Sequence, residues 1–188
     1  MATSLRDTIL DAAVGHVAEH GPDTLSFRQL ATDAGVSHQA PYHHFSDRRG
    51  IFRAIALDGF NQLAQVMSSV EYDSVDSLSE ELLIAYVEFA LDHPGHFRVM
   101  FRRDLCEMED GSPLADSAEG AFNALVNHVN TLLAPDAPIA TIRARSTAMW
   151  SLAHRLATLL IEGPLEKKVG PIKNRREFIR SVAQQSGL

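Results

Sequence analysis

Residues 25–45 run LSFRQLATDAGVSHQAPYHHF, and the organisation of the chain is argued outward from them. Ser26, with Gln29 three residues later, is a capping box that opens a helix. Phe27, Leu30, Ala31 and Ala34 follow at offsets of three and four, which marks one apolar helical face. Gly35 supplies the left-handed residue that ends this helix. Ser37, two residues on, is placed to cap a short third helix that runs to about His44. Two helices joined by a tight glycine-containing turn, the second short and polar on one side, describe a helix-turn-helix. Ala31, Ala34 and Val36 are small enough to let the pair cross closely. The outer side of the third helix shows His38, Gln39, Tyr42 and His43, all able to hydrogen-bond to phosphates or base edges. A major groove about 12 Å wide admits one such helix.

The flanking sequence is helical throughout. A first helix spans Leu5 to His20, with Ile9, Ala13 and Val17 on one stripe, Ser4 as its cap and Gly21-Pro22 as its stop. Ser46 or Asp47 caps a long fourth helix that carries Phe52, Ile55, Ala56, Phe60, Leu63 and Met67 inward. Acidic residues from Glu71 to Asp76 form a joint, and Ser77 with Glu80 opens a fifth helix that ends at His93. Pro94-Gly95 breaks it before a short aromatic segment, His96 to Arg102, and an acidic loop, Asp104 to Asp110. Further helices are expected from Pro113 to near Ala134, from Ile139 to Ile161, and from Asn174 to about Gln185 after a loop that begins at Gly163. There is no sustained apolar/polar alternation and no Asn-Gly or Asp-Gly turn between β-branched runs, so the fold class is all-α with about nine helices.

Three segments carry a resemblance. They are Ser26 to Ser37, then Ala40-Pro41-Tyr42-His43-His44-Phe45, then Asp47-Arg48-Arg49-Gly-Ile-Phe52. Together they are similar to the DNA-binding signature of the tetracycline-repressor (TetR) family, over about a third of the chain. The resemblance implies a three-helix reader at residues 1–50, a linking helix at about 47–69, and a helical regulatory and dimerisation domain at 70–188. Carried over by position, it implies that Arg28 and Gln29 face the DNA backbone and that Ser37 caps the recognition helix. It likewise implies that His38, Gln39 and His43 reach base edges, that Tyr42 lies on a phosphate or a thymine methyl, and that Arg48 clamps a phosphate. Residues 1–53 hold five arginines (6, 28, 48, 49, 53) against six acids (7, 11, 19, 23, 33, 47), a net of −1. Affinity must then come from local placement of charge, and binding should be salt-sensitive.

Trp150-Ser-Leu-Ala-His154 resembles the Trp-x-x-x-His-Gly motif of one TetR subgroup, with Arg155 where that motif has glycine. Tyr86, Phe89, Phe97, Phe101, Trp150 and His154 are the candidate lining of a ligand cavity in the C-terminal domain. For any one of them the alternative is ordinary core. His16/His20 and His93/His96 have metal-compatible spacings but no third ligand, so no metal and no cofactor are expected. Cys106 sits among Asp104, Glu107, Glu109 and Asp110, which discourages a reactive thiolate.

The 188 residues are 45% apolar with a formal charge of −7, a composition that excludes disorder and a globally basic nucleic-acid binder. No leader or membrane-length apolar run occurs, so the expected compartment is the cytoplasm. Nucleophile elbows, phosphate loops and paired carboxylates are missing, so no catalysis is expected. The sequence therefore predicts a homodimer joined through its C-terminal helices. It would bind double-stranded operator DNA as a regulator, most simply a repressor, and be released by a small-molecule effector. The alternative is a helical small-molecule binder or enzyme with a non-functional helix-turn-helix. The helices at 139–161 and 174–185 supply Ile142, Met149, Leu152, Ala153, Leu156, Leu160, Phe178, Ile179 and Val182 to dimer or core.

Overall fold

A computed structural model of the chain describes residues 4–163 and 165–187, apart from the side chain of Asp76. Pro164, expected in the loop after Gly163, and the outer bounds of the two expected domains at residues 1 and 188 lie outside the described residues. Among the described residues there are ten α-helices, a single 3-10 turn at Pro22–Thr24, and no strand. The helices are α1 (Leu5–His20), α2 (Phe27–Asp33), α3 (Ala40–His44), α4 (Arg48–Ser68) and α5 (Val75–Asp92). They continue as α6 (Pro94–Met100), α7 (Pro113–Leu132), α8 (Ile139–Ile161), α9 (Glu166–Val169) and α10 (Arg175–Ser186). The all-α expectation holds. The aromatic segment after Pro94 proves helical, because proline in a first turn has no hydrogen bond to lose and its fixed φ suits the helix.

The chain packs into two compact units. One holds the described residues up to Asn61 with His93–Ala118, the other Gln62–Asp92 with the described residues from Glu119 onward.

In the first unit, the Ser4 hydroxyl accepts from the Asp7 amide at 3.2 Å and so caps α1, whose Ile9, Ala13 and Val17 are wholly buried. Helix α6 crosses α1 at close range: a methyl group on Gly95 would run into the carbonyl of Val14. Arg98 of α6 donates to the carbonyls of Val17 (3.2 Å) and Ala18 (2.5 Å) at the C-terminal end of α1, where the Val17 carbonyl also accepts from the Gly21 amide at 3.0 Å. Asp47 caps α4 by accepting from the Gly50 amide at 2.6 Å, and Phe52, Ile55, Ala56 and Phe60 turn inward as their spacing requires.

His96, on α6, is only 7% exposed and lies with Nε2 3.0 Å from Asp58 Oδ2 on α4, while its Nδ1 has no partner. Burial pushes this imidazole below its ordinary 6.5, against a smaller opposing pull from Asp58; His93 lowers it slightly and Asp11 raises it slightly. Between the lowered folded value and 6.5 the unfolded chain therefore binds more protons. Stability should fall as pH drops through that window and level off below it. The urea midpoint is expected to decrease between pH 7.5 and 5. His96→Gln, which keeps a donor toward Asp58, should lose part of that decrease; an identical pH profile would exclude His96 as a contributor.

In the second unit, α5 starts at Val75, two residues before Ser77, the residue expected to cap it. Ser74 and Ser77 cap reciprocally, each hydroxyl accepting from the other's amide at 3.3 and 3.2 Å. A hydroxyl already stands at Ser74, so the first turn forms there and Glu80 is left for other partners. Leu78, Leu82, Ile84 and Val87 of α5 are buried, as are Ile142, Met149, Ala153 and Leu156 of α8. Helix α10 is tied to α5 by Arg176 with Glu81 (2.6 Å) and Glu88 (2.9 Å), and by Arg180 with Glu81 (2.9 Å) and Glu80 (3.3 Å). Both arginines are well exposed, so these pairs orient the helix more than they hold it. Burial of Ile179 and Ala183 supplies the adhesion. Among the described residues no helix is long and apolar enough to cross a membrane.

Candidate nucleic-acid interface and helical pocket

The turn between α2 and α3 is built as its sequence requires. Ser26 accepts from the Gln29 amide at 3.2 Å and opens α2. At the other end Gly35 has φ +65°, and two bonds close a Schellman motif, Val36 N–H to Ala31 carbonyl (3.0 Å) and Gly35 N–H to Thr32 carbonyl (3.1 Å). The Gln29 side chain does not reach back to Ser26. It donates to Asp33 one turn on at 2.7 Å, and Asp33 also meets His16 Nδ1 at 3.1 Å. His16 Nε2 contacts the Thr24 hydroxyl at 3.0 Å, so this histidine braces α1 against the turn before α2.

Helix α3 begins at Ala40 with Gln39 as its cap residue, two positions later than the expected cap Ser37, and no side chain caps it. Ser37 instead accepts, through its carbonyl, from the Ala40 amide at 3.0 Å in a preceding turn. The shift follows from Pro41, which prefers the first helical turn. Ala40, Pro41 and Phe45 are buried, whereas His38, Gln39, Tyr42 and His43 are exposed, as are Arg28, Gln29 and Ser37. Tyr42 is 59% exposed, with its ring edge on Phe27 at 4.4 Å between centroids. Arg48 lies over the Phe52 ring at 5.1 Å and donates to the Pro22 carbonyl at 2.5 Å. That bond occupies one of the guanidinium's five donors. All the residues that sequence reasoning named for DNA are thus exposed.

The second unit holds a cavity of about 90 Å³, partly open to solvent, among α5, α7, α8, α10 and the end of α4. Leu82, Leu83, Leu125, Met149 and Ala153 form its apolar wall, with Met67 closing one side. Tyr86 and Trp150 also line it. Trp150 Nε1 donates to the Tyr86 oxygen at 3.2 Å, and that oxygen lies 3.1 Å from His154 Nδ1. The i, i+4 spacing of Trp150 and His154 puts both on the α8 face toward α5. Burial pushes the Tyr86 phenol up, only partly opposed by the Trp150 bond, so it stays protonated. Burial, helped by Arg155, pushes His154 down, so the imidazole is neutral near pH 7. The trio is therefore uncharged.

Of the other residues named for this cavity, Phe89 is buried in α5 and outside the lining. Phe97 and Phe101 pack within the first unit, where Phe101 meets Phe60 at 5.3 Å and Phe97 at 5.6 Å. Sequence reasoning missed Glu80, Gln184 and Ser79 at the cavity rim. No local signal marks them, because the rim forms only when α10 returns to α5. Cys106 is buried, its thiol pushed up by burial and by Asp104.

A braced helix-turn-helix followed by a helical unit around an apolar cavity defines a class of all-helical DNA-binding regulatory proteins. Residues 9–55 match the family model for bacterial regulatory proteins of the tetR family, and residues 80–183, more than half of the chain, match the tetracyclin repressor-like C-terminal domain. The chain belongs to the TetR family. It is 36% identical over 66 residues to the HTH-type transcriptional repressor AcnR of Corynebacterium glutamicum, 35% of each chain. A second repressor, Rv1474c of Mycobacterium tuberculosis, is 38% identical over 63 residues, 34% of each. The chain thus spans about a third of the length of these curated relatives. Over nearly its whole length it resembles a protein of unknown function from Rhodococcus sp. RHA1 (27% identity, TM-score 0.78, 98% of this chain and 94% of that one). A tetR-family regulatory protein from Rhodococcus RHA1 shares the fold at 18% identity (TM-score 0.74, 98% and 95% covered).

Proposed function

We propose that the protein is a sequence-specific transcriptional repressor that binds a pseudo-palindromic operator as a homodimer and is released by a small molecule. The observation that carries this reading is the outward face of Gln39, Tyr42 and His43, braced by the Gly35 turn and by Phe27 beneath Tyr42. Repression, rather than activation, is supported by the curated repressors that match about a third of the chain. Residues 1–50 act as the reader and 70–188 as the regulatory and dimerisation part. Arg28, Gln29, Ser37 and Arg48 hold phosphates, and His38, Gln39 and His43 read bases, with Tyr42 against a phosphate or a thymine methyl. A second copy docks on α8 and α10, where Leu160, Phe178 and Val182 are only half-buried. The protein works in the cytoplasm, where its operator is.

The effector occupies the α5–α8 cavity and favours a conformation in which the two readers no longer match successive major grooves. Selection from random duplex DNA, followed by titration at about 50 and 200 mM salt, tests the whole reading. An enriched inverted repeat with steeply salt-dependent affinity is the expected result. A folded protein that enriches nothing, before and after refolding to strip bound ligand, would exclude it. His154→Ala is expected to alter release by ligand and leave the affinity of the free protein for the enriched duplex within about twofold; parallel loss of both would place His154 in the fold alone.

A further inference from the structure

The walls of the α5–α8 cavity say what kind of molecule fits it, and the argument rests on the reading of that cavity as the effector site. Its lining contains no lysine or arginine. One carboxylate, Glu80, stands at the rim, and both its oxygens are engaged, one with Arg180 Nε at 3.3 Å and the other with the Gln184 amide at 3.1 Å. Tyr86 and Trp150 also line the cavity, and both belong to a neutral hydrogen-bonded set with His154, which stands outside the lining.

An anion entering this space would give up its water, meet no cation, and face the Glu80 carboxylate. An ammonium ion would have to take Glu80 from Arg180, which Glu81 also holds. Neutral molecules face neither cost. Ser79, Gln184 and Ser186 offer hydrogen-bonding groups, and apart from Glu80, Tyr86 and Trp150 the remaining wall is leucine, methionine and alanine. About 90 Å³ is smaller than the roughly 150 Å³ apolar cavity that takes benzene, so a single ring is the upper size and enters as the methionines yield.

We infer that the cavity takes a compact, uncharged, mainly apolar molecule of single-ring size with one hydrogen-bonding group directed at the Ser79–Gln184 rim, and that it rejects carboxylates, phosphates and ammonium ions. This class differs from any acidic metabolite, which would need a cation in the wall.

Trp150 is the single tryptophan of the chain and lines the cavity, so its fluorescence reports occupancy directly. Three probes share one ring and differ in charge: cyclohexanol, cyclohexanecarboxylate and cyclohexylammonium. Titrated into the full chain at pH 7.5, cyclohexanol is expected to give a saturable change at a concentration at least tenfold below either charged probe. Ala153→Leu fills the cavity and should abolish the change, with circular dichroism confirming the fold. Gln184→Lys, at the exposed rim, should narrow the gap between alcohol and carboxylate at least threefold, and it keeps the test open if the first variant does not fold. Binding of the carboxylate or the ammonium as tightly as the alcohol overturns the ligand class and leaves the site standing. No saturable change with any of the three overturns the ligand class and the effector-site reading together.

Discussion

Replacing Gln39 and His43 together by alanine is expected to weaken binding to the selected duplex about a hundredfold or more, with thermal unfolding unchanged. Both side chains are exposed on the outer face of the α3 region, so their loss leaves the buried anchors Ala40, Pro41 and Phe45 intact. A base-edge contact contributes about 1–3 kcal/mol of discrimination, and about 1.4 kcal/mol is tenfold in affinity, so two such contacts reach the hundredfold scale. Arg28→Ala should behave differently. A phosphate contact carries no sequence information, so its loss weakens all duplexes alike and flattens the salt dependence by about one unit of slope. Anisotropy titrations against the selected duplex and a scrambled one separate the two patterns. Equal losses on both duplexes for the Gln39/His43 pair would move base reading to His38 and Tyr42.

The second large effect concerns stability. Gly95→Ala is expected to lower the melting temperature by roughly 5–10 °C, taking about 1–3 kcal/mol for forced overpacking and about 2–4 °C per kcal/mol in a chain of this size. The new methyl meets the Val14 carbonyl, a backbone group that cannot rotate aside, and stands 3.0 Å from Val14 Cγ1 as well. Relief requires α6 to back away from α1, which also draws Arg98 from the Val17 and Ala18 carbonyls. Gly120→Ala on exposed α7 is the internal contrast, since nothing lies within 4 Å of its added methyl. That change should stabilise by about 0.5–1 kcal/mol. Opposite signs at the two glycines would show that proximity, rather than helix propensity, governs the first; an unchanged melting point for Gly95→Ala would mean that the α1–α6 contact yields easily.

Much of this architecture was legible locally. Helix α1 runs from Leu5 to His20, as cap, stripe and Gly-Pro stop indicate, because each of those signals acts within a few residues. The inward set of α4, from Phe52 to Met67, follows from its spacing alone. Gly35 adopts φ +65°, as a helix ending two residues before another turn demands. The misses share a cause. Ser77 and Glu80 spell a capping box, yet Ser74 takes the cap and Glu80 turns to Arg180, about a hundred residues away in sequence. Ser37 cedes the start of α3 to Gln39, because Pro41 sets where the helix can begin. In both cases two local signals competed, and the pattern could not rank them.

The candidate sites divide the same way. Every residue named for DNA lies between Arg28 and Arg48, on α2, in the turn before α3, on α3 or at the start of α4, so its exposure could be read from local pattern. The cavity draws on five helices. Of the residues the sequence named for a ligand cavity, Tyr86 and Trp150 stand in its lining, and Phe89 and His154 stand outside it. The sequence also grouped with them Phe97 and Phe101, which the fold spends on the first unit.

The sequence by itself determined the all-α class, the helix-turn-helix and the family, because helical periodicity, capping and a glycine turn are short-range properties of the chain. Tertiary structure alone decided which of the apolar residues in 139–161 and 174–185 serve the core, burying Ile142, Met149, Ala153, Leu156 and Ile179 while leaving Leu160, Phe178 and Val182 half-open. It alone brought Glu80 and Gln184 to one rim and removed cations from the wall behind them. An apolar stripe states only that a face will be buried. What buries it, and what stands at the edge, depends on contacts between segments a hundred residues apart, which no local pattern encodes.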